Sequence, residues 1–274
     1  MKKIEREVPS ENKSRQGRTK WKIGIGITVI LLLIVFILYE KFFAHADNIR
    51  KTIEEQLGEP IHMIQITKGD TTIICASEAS CEKVLDVFGK LKGHRKDAGN
   101  ADLAAAPDSA RYYEKEDLDI SFIGGEKICT LYQANEIKSN KSMRMVCGES
   151  SRNYLLNKNI NEVLQEILEE KQSAPYLGRE ELLQFFDDAT GKIKEDVTLE
   201  DFEKYRQINV ENNGEETCLK ISMEDSGRIH VIFKSAGLTG LSKDDKPEKV
   251  IVFWSDSEYI SSDREDFLES IKEK

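Results

Sequence analysis

The chain has 274 residues, with 40 Lys and Arg against 50 Asp and Glu, a formal charge of −10. Residues 1–22 carry eight basic and three acidic side chains, a net +5, which leaves −15 on the remainder. So acidic a body argues against nucleic acid or anionic lipid as partner. Its length suffices for one large or two small domains.

Residues 1–20 are polar, contain Pro9 and show no periodicity, which predicts a disordered cytoplasmic tail. Residues 23–39 form a charge-free run of 17 residues. As a helix it would reach about 25 Å, at the short end of what crosses a hydrocarbon core of about 30 Å. Trp21 on one side and Tyr39, Phe42 and Phe43 on the other suit the two interfaces. These features predict a single transmembrane helix over residues 21–43, held in the lipid bilayer. Eight Lys and Arg precede it, and only Lys41, Arg50 and Lys51 follow in a comparable stretch. That asymmetry predicts a single-pass protein of the cell membrane, N-terminus cytoplasmic and C-terminal region extracytoplasmic. The competing reading is an export signal. Ala44, His45 and Ala46 have the small-x-small form of a cleavage site, and a cut after Ala46 would release a secreted protein.

Beyond this segment, DNIRKTIEEQLG predicts a short helix ended by Gly58, readable as a stalk on the membrane helix. IHMIQIT and TTIICA around a KGD turn predict a hairpin. SCEKVLDVFGKLKG carries Val84, Leu85, Phe88 and Leu91 near helical spacing, with Gly93 as its expected cap. Residues 94–111 predict a long loop. DLDISFI-GG-EKICTLYQA is the clearest hairpin, with Gly124 and Gly125 at its turn. MRMVC and NYLL extend it as further strands, and Asn159 opens a closing helix. QSAP then reads as a linker.

The second half opens with two helices, GREELLQFFDDATG and one beginning at Thr198. ETCLKISM, GRIHVIFKS and KVIVFWS are strand candidates, and a last helix buries Phe267, Leu268 and Ile271. The expected fold is α+β: an N-terminal single transmembrane helix followed by two small antiparallel-sheet-plus-helix units. The expected boundaries are 1–20 for the tail, 21–43 for the membrane helix, 47–171 for the first extracytoplasmic domain and 176–274 for the second.

Five cysteines are present, so at least one is unpaired or pairs between chains. Cys129 and Cys147 fall on neighbouring predicted strands, where opposed positions lie within disulfide reach. Cys75 and Cys81 could close a short loop between a strand and a helix; some of these are alternatively buried free thiols. Cys218 stands alone in the second half. FFDDATGKIKEDVTLEDF, lying between two helices, invites comparison with a calcium loop. Aligning Gly191 to the invariant glycine puts Phe186 and Val197 where oxygen ligands belong, so no metal is expected. His45, His62, His94 and His230 form no zinc-binding spacing, and no nucleophile elbow, phosphate loop or dinucleotide fingerprint occurs. No cofactor and no catalytic residue is expected. Trp254 and Tyr259, near the last strand, are the candidate binding surface.

ITKGDTTIICASEASCEKVLDVFGKLK and LDISFIGGEKICTLYQAN follow the order strand, Gly turn, strand, helix, loop, hairpin. Over roughly residues 60–170 this pattern resembles small extracytoplasmic domains of unknown function in membrane-anchored proteins of Gram-positive bacteria. The resemblance implies an exported, non-enzymatic accessory domain and supplies no site residues. The expected function is therefore a binding or regulatory protein of a bacterial envelope, directed at a protein or cell-wall component. The alternative is an accessory or immunity-type protein acting on a membrane neighbour.

Overall fold

The computed structural model describes residues 28–39, 46–96, 118–133, 141–235, 241–254 and 258–273. The chain divides into two units, residues 1–46 and residues 47–274. The first unit contributes one described helix, α1, over residues 28–39. Its apolar side chains from Val29 to Tyr39 are 47–64% exposed, all round the helix. The transmembrane helix expected over residues 21–43 is not met: among the described residues no helix is long and apolar enough to cross a membrane. The described part of the apolar run, the twelve residues of α1, reaches only about 18 Å. The expected tail over residues 1–20, most of the expected loop over 94–111 and the Ala44–His45 part of the expected cleavage site lie outside the described residues.

The second unit begins with β1 (Asp47–Asn48) and α2 (Ile49–Leu57). Asn48 caps α2 by accepting from the Lys51 N–H, and Gly58 ends it with φ 72°. α2 is no stalk: Ile49, Ile53 and Leu57 are fully buried. Next come β2 (Met63–Lys68), β3 (Thr71–Cys75), α3 (Glu78–Gly89) and β4 (Lys92–Lys96). Gly93 does not cap α3 but sits in β4, where a Cβ would fall 2.6 Å from Ile49 and 2.8 Å from Tyr154. The space is filled by those two side chains, so only a glycine lets the strand approach. β5 (Leu118–Gly124) and β6 (Lys127–Gln133) form the expected hairpin, and β7 (Ser142–Cys147), β8 (Ser150–Leu156) and α4 (Ile160–Ser173) follow. All pairings are antiparallel, and the strands join in one eight-stranded sheet ordered β1-β4-β8-β7-β6-β5-β2-β3. One face carries Ile64, Ile66, Phe122, Leu131 and Met145 into a core shared with α2, α3 and α4.

The remaining chain supplies α5 (Arg179–Gln184), α6 (Leu199–Glu203), β9 (Gln207–Asn212), β10 (Glu216–Ser222), β11 (Arg228–Lys234), β12 (Lys249–Phe253), β13 (Tyr259–Ser261) and α7 (Phe267–Glu273). Its strands form a five-stranded antiparallel sheet ordered β13-β12-β11-β10-β9. The architecture is thus α+β with two antiparallel sheets. They are not two small units of one kind, because the first sheet has eight strands and reaches across α3 to recruit β1 and β4.

The two sheets meet through side chains rather than a strand ladder. β3 is an edge strand, and β9 lies against it. Gln207 on β9 accepts from the Ile74 N–H and donates to the Ile74 carbonyl, both at 2.9 Å. Asn209 accepts from the Thr72 N–H at 2.9 Å. These amides satisfy backbone groups that an edge would otherwise leave bare. Met63, Ile74 and Ile123, from the second face of the large sheet, join the core of the five-stranded half.

Candidate functional site

Three places in the second unit carry chemistry: the joint between the sheets, a groove beside it, and the outer face of the five-stranded sheet. At the joint, Glu203 of α6 is 3% exposed. It accepts from Lys171 Nζ at 2.6 Å and from the Ser77 N–H at 2.6 Å. Burial alone pushes its pKa up, but the Lys171 charge, the Lys171 and Ser80 hydrogen bonds and the Ser77 N–H outweigh burial and hold it below the usual carboxylate range. The pair ties α4 of the first half to α6 of the second.

The groove, of about 500 Å³, opens between α4 and the β2–β3 hairpin. Its apolar floor is Ile66, its register partner Ile73, and Leu168. α4 presents Asn161, Gln165 and Gln172 along it, spaced to lie on one helix face, with Glu162 and Glu169 beside them. Lys68 and Thr71 stand at the hairpin tip, and Lys171 and Gln207 on the side of the joint. Asn161 Oδ1 is buried without a hydrogen-bond partner.

On the five-stranded sheet, Leu219, Ile221, Val231, Phe233, Val250 and Val252 point inward and are buried. The alternating positions put Lys220, Arg228, His230, Ile251 and Phe253 on the outer face. Tyr259 stands directly opposite Phe253 in register. Three rings form a ridge across the strands: His230 and Phe253 centroids lie 4.4 Å apart, Phe253 and Tyr259 5.5 Å. The Arg228 guanidinium sits 5.2 Å from the Phe253 ring centre, within cation–π reach. Burial, with Lys220 and Arg228 adding to it, pulls the His230 pKa down to about 4, so this ring is neutral at physiological pH. Tyr259 remains 64% exposed. Trp254, the other sequence candidate, is half-buried and packs on the core of this half.

The remaining sequence candidates are placed as follows. Cys129 and Cys147 stand opposite each other on β6 and β7 and are joined by a disulfide. Cys75 and Cys81 are not joined: both are buried free thiols, and Cys81 donates its S–H to the Cys75 carbonyl at 3.1 Å. Burial pushes them up to about 11 and about 12, so both stay protonated and poorly nucleophilic. Cys218, also free, lies half-buried on β10 and is pushed up by burial to about 11. The Asp187 carboxylate is spent locally, accepting the Ala189 and Thr190 N–H groups and the Thr190 hydroxyl around a turn with Gly191 at φ 69°. Among the described residues no group of three or more His, Cys, Asp or Glu side chains could hold a metal ion.

Sequence reasoning pointed to neither the groove nor the joint. Gln207 and Asn209 lie in QINVEN, a polar strand with no apolar alternation to announce it. Lys171 and Glu203 are separated by 32 residues, and nothing local links them. No family model, curated protein or solved structure matches the chain.

Proposed function

We propose that the protein is a non-enzymatic extracytoplasmic binding protein of a bacterial envelope. It docks a protein partner on the ridge of the five-stranded sheet. The observation that carries the reading is Tyr259, 64% exposed at the end of the His230–Phe253–Tyr259 stack, with Arg228 against the same rings. Tyr and Arg are enriched at protein interfaces, where they supply large contact area with a polar tip. A ring already packed on its neighbours loses little side-chain freedom on binding. The Cys129–Cys147 disulfide supports the compartment, since such bonds persist outside the reducing cytosol. Contact of the exposed apolar side chains of residues 29–39 with lipid belongs to the same reading and keeps the protein at the cell membrane.

A photoreactive phenylalanine at position 259, in cells expressing the full chain, tests the docking face. A discrete crosslinked adduct, lost when the probe is moved to the exposed Glu55 of α2, is the expected result. A smear at both positions removes the docking face. Thiol counting on the chain recovered from cells tests the compartment. The expected outcome is three reactive thiols after unfolding, and five would place the chain in a reducing one.

A further inference from the structure

We infer that the groove between α4 and the β2–β3 hairpin is a second binding site, which takes an uncharged extended peptide segment of about five residues. This goes beyond the ridge reading, because the groove shares no lining residue with the ridge. The length follows from the helix. From Asn161 to Gln172, α4 advances about 16 Å, the span of about five residues of extended chain. The chemistry follows from the side chains. An extended peptide repeats N–H and C=O groups along its length. Gln165 and Gln172 are both exposed on the α4 wall; Gln172 offers a donor and an acceptor to such a ladder, and Gln165, with one N–H donated to Glu169 at 2.7 Å, offers its carbonyl and its second N–H.

Asn161 carries the sharper mark. Its backbone N–H is taken by Asn159 and its Nδ2 donates to Gln133 at 3.4 Å, but its buried Oδ1 accepts nothing. A buried acceptor without a donor is rare and costly; a peptide N–H entering the groove supplies one. Ile66, Ile73 and Leu168 give the apolar floor on which a side chain of the segment rests. The lining holds no aromatic residue, so the stacking surface by which proteins grip sugar rings is lacking here. Lys171 is engaged by Glu203, so Glu162 and Glu169 against Lys68 leave the rim with one net negative charge, which disfavours an acidic segment and is too little to demand a basic one. The segment does not extend the sheet as a ninth strand. Gln207 and Asn209 already occupy the β3 edge, so recognition runs through side chains of α4 rather than by strand addition.

The probe is a fluorescein-labelled library of N-acetylated, C-amidated pentapeptides, read by anisotropy on the full chain in detergent micelles, with chitotetraose as a parallel ligand. The expected result is selective binding of neutral sequences with a central aliphatic residue. Leu168→Asp should abolish it. The exposed pair Gln165→Ala and Gln172→Ala, which keeps the floor intact should Leu168→Asp fail to fold, should weaken binding about tenfold, the worth of two hydrogen bonds. Tyr259→Ala should leave it unchanged. Absence of sequence selection, wild-type affinity in the double-Gln variant, or binding of chitotetraose in place of peptides would overturn the inference. Loss of peptide binding in Tyr259→Ala would move the site to the ridge and overturn it as well.

Discussion

The two sheets bury their strands differently. In β10 and β11 burial alternates strictly, with one face to the core and one outward. In β2 and β3 it does not: Met63 and Ile64 are both buried, and so are Ile73, Ile74 and Cys75. The large sheet is covered on both faces at this edge, by α2–α4 on one side and by the core of the second half on the other. The five-stranded sheet keeps an outer face, and the aromatic ridge lies there. A doubly covered edge is a place of structural commitment. A singly covered sheet keeps surface for a partner.

The largest effect should come from the doubly covered sheet. Phe122 is fully buried and meets Phe88 edge-on at 5.0 Å. Phe122→Ala should cost about 4 kcal/mol, measured by denaturant unfolding. A cost under about 1 kcal/mol would mean that this core is loosely packed.

Next comes the joint. Glu203→Ala leaves the partly buried Lys171 ammonium without its carboxylate and the Ser77 N–H without its acceptor, and should cost about 3 kcal/mol. The same residue sets a pH signature. Its folded pKa lies below the ordinary value, so its contribution is present above the unfolded carboxylate pKa of about 4.3 and is lost as pH falls through the folded value. As pH falls through that window the wild type should therefore lose stability faster than Glu203→Gln. Parallel curves would remove Glu203 from the account.

Gln207→Ala should cost about 2 kcal/mol, because both polar groups of Ile74 lose their partner at a buried position. Hydrogen exchange at the Ile74 amide should rise with it, while the Thr72 amide, held by Asn209, keeps its protection. Protection unchanged at Ile74 would mean that another group covers the β3 edge.

The smallest stability effect should be at the ridge. Tyr259→Ala should shift unfolding by no more than about 0.5 kcal/mol, as expected for an exposed side chain. A large stability loss would make the ridge structural and end the contrast between the sheets.

Much of this architecture was legible in residue order. The β2–β3 and β5–β6 hairpins, the α3 and α4 periodicities and the three middle strands of the second sheet follow from apolar spacing and turn glycines. Even the double burial left a trace, because Met63-Ile64 and Ile73-Ile74-Cys75-Ala76 put apolar residues at successive rather than alternating positions. Four strands were not legible. β1 has two residues and β13 three; β4 reads KGHRK and β9 QINVEN. Such strands exist because a neighbour offers hydrogen bonds, not because their own side chains prefer extension. The apolar run over residues 23–39 was read as a membrane helix on composition, and the described helix is shorter than a crossing needs.

By itself, the sequence determined the acidic balance, the mixture of strands and helices after residue 47 and the main hairpins, since each depends on neighbours within a few residues. The tertiary structure decided which half covers the β3 edge, which cysteines meet, that Lys171 finds Glu203, and that α4 and a hairpin enclose a groove. Those are contacts between residues far apart in the chain. Their pairing depends on which strand and helix faces meet once the sheets close, and local preference does not encode it.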